Sequence, residues 1–286
     1  MLDRPLIEKA HAKINLGLKI LGRRPDGYHD ILSLAQCLDL ADTLHIESAS
    51  FDQLTCTIDQ LSTGPDNLVC RALDAFRTQL GRPVQYFRIH LEKNIPMGAG
   101  LGGGSADAAA VLRALNRLYG APFSNAELCE VGAALGSDIP FLVAGGTALM
   151  RGRGERLEPQ GWTGAVYYTL VYPEVEVGTA WAYSQLGPVL TENTPYLSFI
   201  ASLSGGCVDH KRLFEVLEND FMPVVERAYP IVAELRSQLD RAGARATSMS
   251  GSGSTVYGIF DDRTTASRAQ QAQQEQGYRS FLCRPI

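Results

Sequence analysis

The sequence predicts an α+β protein built as two domains, and three observations carry that reading. A chain of 286 residues with 45% hydrophobic composition is long enough to bury two ordinary cores. Stretches with the two-residue period of a half-buried strand recur along it. The clearest is AKINLGLKI, where Ala12, Ile14, Leu16, Leu18 and Ile20 are apolar and Lys13, Asn15, Gly17 and Lys19 interleave. Stretches with helical spacing are mixed among the strands without the regular β-α-β alternation of a parallel sheet.

In chain order, the first strand covers 12–20 and ends at the turn Pro25-Asp26-Gly27. Residues 31–40 and 42–48 are predicted as two further strands. NLVCRALDAFRTQLG, 67–81, is a helix closed by its terminal glycine, and 86–96 alternates again as a strand. A helix is expected from Ser105 to Leu118, with Ser105 as its N-cap. Ser124 and Glu127 form the S-x-x-E pattern of a capping box, so the next helix covers 125–135. Residues 136–159 give a turn, a short helix and a strand. The domain boundary is placed at 158, dividing the chain into 1–158 and 159–286. The second half opens with a strand at 165–173 and a short helix at 178–186. Residues 187–208 are predicted irregular and long enough to line a site. Helices follow at 209–219 and 221–241, the latter kinked or divided at Pro230. The chain closes as strand 244–249, a Gly/Ser turn, strand 254–260, helix 262–276 and strand 279–284.

The net charge of −5 and the lack of any Lys/Arg-rich run argue against nucleic acid or an anionic membrane as the main partner. No apolar run reaches the roughly 18 to 20 residues that span a bilayer. The opening MLDRPLIEKA has neither signal-peptide nor transit-peptide character. Cys37, Cys56, Cys70, Cys129, Cys207 and Cys283 form no CxxC pair, and no histidine stands at metal-ligand spacing. Scattered cysteines of this kind predict reduced thiols in a cytoplasmic protein and no structural zinc.

The stretch NIPMGAGLGGGSADAAAVLRALN, Asn94 to Asn116, places five glycines between Gly98 and Gly104, directly before a helix. Glycine is needed where the backbone takes φ > 0 or approaches another group closely. A helix N-terminus adds unpaired N–H groups and partial positive charge. The combination points to a cradle for an anion, most often phosphate. The bland alternative is a tight strand-to-helix connection, for which one or two glycines would do. The pattern is not GxxxxGK[ST], since no lysine precedes Ser105. Gly98, Gly100 and Gly103 fit G-x-G-x-x-G, but no acidic residue follows at the dinucleotide-fingerprint distance. Ser105 would cap the helix and offer a hydroxyl to a phosphate or a metal ion. Lys13 and Asn15, two apart on a strand, share a face at roughly 7 Å. They suit a phosphate or a substrate hydroxyl, or form a solvated edge. Asp138, in GSDIPF, is either the N-cap of a helix started by Pro140 or a functional carboxylate. SMSGSGSTVYGIF, 248–260, is a hairpin or a second backbone cradle.

Together these residues resemble the GHMP small-molecule kinases. The resemblance rests on the Pro96–Ser105 loop, the early strand motif and Ser250–Gly253. AKINLGLKILGRRPDGYHDILSL, PMGAGLGGGSADAA and GSDIPFLVAGGTALMRGRGE are similar, within that superfamily, to the branch acting on a CDP-linked methylerythritol. The resemblance implies a two-domain GHMP kinase fold, with an N-terminal domain like ribosomal protein S5 domain 2 and a ferredoxin-like C-terminal domain. It implies ATP as phosphoryl donor with a divalent cation, normally Mg2+, and transfer of the γ-phosphoryl to the tertiary 2-hydroxyl of that small molecule. No protein partner is implied. By motif position, Lys13 and Asp138 are the catalytic pair, with Asn15 beside them. Pro96, Met97, Gly98, Ala99, Gly100, Leu101, Gly102, Gly103, Gly104, Ser105 and Ala106 would cradle ATP. Tyr28 and His29 fall where the family grips cytosine. Tyr183, four residues after Thr179, matches an aromatic position on the other side of that ring, so that Tyr28 and Tyr183 would face each other across the base. One departure stands out: Ser105-Ala106 replaces the pair of hydroxyl residues common in the superfamily. Asp107 suits the helix dipole but would repel a nearby triphosphate unless a cation lies between, and the metal ligands are left unassigned.

Overall fold

A computed structural model describes residues 4–162, 164–187, 194–203 and 206–286. It separates into two compact units. One comprises residues 1–12, 40–96 and 102–145; the other comprises 13–39, 97–101 and 146–286. Each is discontinuous in sequence because the two long strands β1 (Leu6–Arg23) and β2 (His29–Ala49) contribute residues to both.

In the first unit, Thr43–Ala49 of β2 pairs antiparallel with β4 (Tyr86–Glu92), and β3 (Gln53–Cys56) lies parallel on β4's other edge. β2 is one strand where two were expected, 31–40 and 42–48. Asp42, beside the expected break, is buried, and its carboxylate accepts the Asn94 and Ile95 amides at 2.5 and 2.8 Å. With that charge satisfied, the strand runs on. Helices α1 (Leu68–Leu80), α2 (Gly103–Leu118), α3 (Asn125–Leu135) and α4 (Ile139–Ala144) pack on one another. α3 opens with the predicted capping box, both of its reciprocal bonds formed between Ser124 and Glu127. Three consecutive buried alanines, Ala108, Ala109 and Ala110, let α2 sit close to its neighbours, and Phe76 of α1 and Phe141 of α4 are fully buried.

In the second unit, Ile31–Gln36 of β2 pairs antiparallel with β5 (Thr147–Gly152). β5 continues to β6 (Arg156–Trp162), and β6 to a short parallel β8 (Cys207–Val208). The rest of the unit contains β7 (Tyr167–Tyr172), α5 (Thr179–Ser184), α6 (Pro195–Ser202), α7 (His210–Glu215), α8 (Met222–Ala228) and α9 (Pro230–Arg241). β9 (Ala246–Met249), β10 (Val256–Phe260), α10 (Arg263–Glu275) and β11 (Arg279–Cys283) complete it. Pro230 divides the predicted 221–241 helix into α8 and α9, as a ring without an N–H must. β7, β9, β10 and β11 form an antiparallel sheet in the order β11-β7-β10-β9. With α9 and α10 as its helices this is the β-α-β-β-α-β arrangement of a ferredoxin-like fold. Val171, Leu235, Leu239, Val256, Phe260 and Ala266 make its core. The segment 187–208, expected irregular, contains helix α6, capped by Thr194 and anchored by the fully buried Tyr196. Residues 188–193 and 204–205 lie outside the described residues.

Candidate active site

The glycine segment follows β4 and feeds α2. Gly98, Gly100 and Gly102 take φ of 64°, 76° and 72°. Left-handed backbone costs an L-residue roughly 1–2 kcal/mol, so alternate residues here have to be glycine. Gly100 has a second reason. A Cβ there would lie 2.3 Å from the Ser250 carbonyl oxygen and 2.9 Å from that of Gly253. The two glycine-rich stretches thus meet backbone to backbone, and Ser250 Oγ donates to the Gly100 carbonyl at 2.8 Å while Thr255 N donates to Ala99 O at 3.2 Å.

The 16-residue α2 starts at Gly103. Its N-cap position is Gly102, which supplies no side-chain capping bond. Ser105 is therefore not the cap but the third helical residue, because the glycines already turn helical two residues before it. Its partly exposed hydroxyl rides on the first turn. The α2 N-terminus presents N–H groups that no capping side chain covers, with the partial positive charge of a long helix behind them. Pro96, Ala99, Leu101 and Ala106 are buried, so they shape the segment, whereas Gly98 and Gly104 are exposed and Met97 is partly so.

Against the glycine segment, Lys13 N donates to Leu101 O at 3.0 Å. Lys13 and Asn15 are only 5% and 3% exposed, so the solvated-edge reading of this strand face fails. Lys13 Nζ donates to Asn15 Oδ1 at 2.8 Å, and Asn15 Nδ2 donates to Ser33 Oγ at 2.8 Å. Ser33 Oγ in turn donates to Gly17 O at 2.7 Å. Asn15 N reaches Ser250 Oγ at 3.3 Å. Asn219 Nδ2 holds the far end of the Gly/Ser turn through Met249 O at 2.7 Å and Gly251 O at 2.9 Å. Thr179 is exposed and its hydroxyl meets that of Ser252 at 3.1 Å. Ser33 and Asn219 carried no sequence signal: each acts through long-range contacts that no local spacing encodes.

Asp138 sits in the N-cap position before α4 but makes no capping hydrogen bond to that helix. Pro140 removes one N–H that a cap would serve. The carboxylate is partly exposed. Asp107, by contrast, is 3% exposed and turned inward. Its Oδ2 accepts from Lys93 Nζ at 2.8 Å, and the same ammonium donates to Asp42. Burial pushes the Asp107 carboxyl up to about 8, with the Asp42 charge adding to the shift and Lys93 opposing it. Asp107 therefore faces a lysine, not the glycine cradle.

Tyr183 stacks on the His29 imidazole, with centroids 4.4 Å apart and planes 13° from parallel, and Phe221 meets it edge-on at 4.9 Å. Tyr28 is 53% exposed in the turn before β2, under the Arg153 guanidinium at 4.8 Å. The aromatic pair in contact is thus His29 with Tyr183, not the expected Tyr28 with Tyr183. β2 begins at His29, so the sheet fixes this ring and leaves Tyr28 to the loop. Burial, and then the charge of Arg23, hold His29 below the ordinary histidine value.

Two family descriptions match the chain: GHMP kinases N terminal domain over residues 67–146, and GHMP kinases C terminal over 204–279. The chain belongs to the GHMP kinase family. Within that family it is 40% identical over 284 residues to 4-diphosphocytidyl-2-C-methyl-D-erythritol kinase of Salinibacter ruber, covering 97% of this chain and 98% of that one. A crystal structure of 4-(cytidine 5'-diphospho)-2C-methyl-D-erythritol kinase superposes with a TM-score of 0.81 at 34% identity, over 98% of both chains. Homoserine kinase from Cytophaga hutchinsonii gives a TM-score of 0.78 at 19% identity, covering 100% of this chain and 96% of that one, a likeness of fold alone. The two-domain GHMP kinase fold and its mixed α and β content agree with the α+β expectation.

Proposed function

We infer that the chain is an ATP-dependent kinase that phosphorylates the 2-hydroxyl of 4-diphosphocytidyl-2-C-methyl-D-erythritol, in the methylerythritol phosphate pathway to isoprenoid precursors. The near-full-length relatives support the substrate. The observation that carries phosphoryl transfer is the start of α2: a long helix whose N-terminus has no side-chain cap, reached through three left-handed glycines. That is the geometry an anion would complete. Residues 98–104 offer backbone N–H groups to the phosphates, and Ser105 adds a hydroxyl. The family's N- and C-terminal domains are placed at 1–158 and 159–286, and the enzyme is assigned to the cytoplasm.

Phosphoryl transfer asks mainly for positioning and charge neutralisation. ATP is taken as its magnesium complex. Asp138 is assigned the general base: it accepts the proton of the tertiary hydroxyl as that oxygen attacks the γ-phosphorus and ADP leaves. Its lack of a side-chain capping bond to α4 supports this role. Lys13 offsets developing negative charge, and Asn15 fixes the lysine's direction through their hydrogen bond. Tyr28, His29 and Tyr183 are assigned to the cytosine, with the base taking the place of the imidazole on the Tyr183 ring. Thr179 is assigned to the same substrate.

The test is nucleotide binding by a Gly102→Val variant. A Cβ at a left-handed position beside the first N–H groups of α2 should weaken ATP binding sharply while the circular dichroism spectrum is unchanged. Wild-type ATP affinity in that variant would remove the cradle.

A further inference from the structure

Lys93 stands immediately before the glycine segment, yet its side chain is only 3% exposed. Its ammonium gathers three pieces of the first unit at one point. It donates to Asp42 on β2 and, at 2.8 Å, to Asp107, the fifth residue of α2. It also lies against the first residue of that helix: a Cβ on Gly103 would be 3.3 Å from Lys93 Nζ and 3.1 Å from Ile95 Cγ2. The same Asp42 carboxylate, through its other oxygen, holds the amides of Asn94 and Ile95, the last turn of chain before the glycines. One buried cation and one buried carboxylate therefore fasten the residues entering the glycine segment to the helix that leaves it.

Nothing about stability demands this arrangement. A buried charged cluster is commonly no better for stability than apolar residues of the same volume. Here it is also imperfect, since Asp107 Oδ1 has no hydrogen-bond partner among the described residues. Among the described residues, Lys93, Asp42 and Asp107 form no ion pair with any further group. α1 turns Val69, Ala72, Leu73 and Phe76 inward, α3 buries Leu128 and Gly132, and α4 carries no charged residue. Glu8, with Arg113 and Arg117, forms a separate ion-pair group further along α2.

We propose that Lys93, held between Asp42 and Asp107, is a positioning residue for the nucleotide: it locks the two ends of the glycine segment together so that the backbone N–H groups of 98–104 keep their aim on the phosphates. Lys93 acts through this clamp without touching the substrate that is phosphorylated. The proposal rests on the reading of the glycine segment as the phosphate cradle.

The experiment compares the full-length wild type with Lys93→Met, Lys93→Met/Asp107→Leu, Asp107→Asn and Gly102→Val. For each, the Tm and the KM for ATP and for the cytidyl substrate are measured at a temperature where every variant is folded. Lys93→Met leaves two buried carboxylates without their cation and should lower the Tm. The double variant replaces the lysine–aspartate pair by apolar groups and should regain it. Under the proposal the double variant still shows KM for ATP raised about tenfold or more, since small misplacement of a binding group is costly, with KM for the cytidyl substrate unchanged. Asp107→Asn, whose amide oxygen still accepts from Lys93, stays close to wild type. If KM for ATP returns to the wild-type value together with the Tm, the clamp is structural only and the proposal is overturned. A normal KM for ATP in Gly102→Val would instead overturn the cradle reading, and the proposal with it.

Discussion

Asp138 shows how a single residue separates a structural role from a chemical one. Its position before Pro140 is that of a helix cap, yet it makes no capping bond to α4. Asp138→Asn keeps shape and cap capacity. We expect an unchanged Tm and a kcat lowered by about 10² to 10⁴, the usual contribution of a positioned base; retention of more than half the wild-type kcat would return Asp138 to a structural role. His29 gives a second residue-scale expectation. Its pKa is held below 6.5 by burial first and Arg23 second. The unfolded chain therefore takes up the proton first as pH falls. This group's share of stability is fully present above about pH 6.5 and declines as pH drops below it toward the folded value. An NMR titration should place the His29 midpoint below 6.5, and Tyr183→Ala should move it upward by opening the ring to water. The same Tyr183→Ala change should raise KM for the cytidyl substrate by about 5- to 150-fold, the worth of one base–aromatic stack. The Lys13/Asn15 pair was legible because strand period is two. Ser33, which completes their hydrogen-bond chain, was not, because nothing local ties it to residue 15.

At the scale of elements, what could be read locally was read well. The capping box at Ser124, the helix stop at Gly81 and the division at Pro230 each follow from one residue's backbone chemistry. The misreadings arose where distant atoms decide. Residues 31–40 and 42–48 read as two strands, but the Asn94 and Ile95 amides satisfy the buried Asp42 between them and β2 continues to Ala49. Ser105 reads as a cap until the preceding glycines turn helical. α6 is hidden in a Pro- and Ser-rich stretch until Tyr196 is seen packing beside Gly17, where a Cβ would come within 2.2 Å of its ring. The contact between the glycine segment and the Ser250–Gly253 turn yields an element-scale prediction. Gly100→Ala adds a methyl 2.3 Å from the Ser250 carbonyl oxygen on a left-handed backbone. The φ penalty alone is about 1–2 kcal/mol. Denaturant unfolding should show at least that loss, and KM for ATP should rise. Gly104→Ala, helical and 3.6 Å from its nearest neighbour, should be tolerated in stability.

For the whole molecule, an overall charge of −5 has to coexist with a polyanionic substrate. In this account the fold would manage this locally, by a long helix N-terminus and the buried Lys13. The same fold serves homoserine kinase, so architecture does not select the alcohol. What selects it in this account is the aromatic group Tyr28, His29 and Tyr183, outside the phosphate cradle. The central claim is therefore that the chain transfers phosphate from ATP to a cytidyl-linked alcohol and depends on the cytidyl group to do so. The direct measurement is coupled ADP release from ATP with 4-diphosphocytidyl-2-C-methyl-D-erythritol, run beside the same sugar alcohol without its cytidyl group, homoserine and mevalonate. Rapid, saturable ADP release with the first alone, with phosphate appearing on its 2-hydroxyl, is the predicted result; equal or faster release with any of the other three would contradict it.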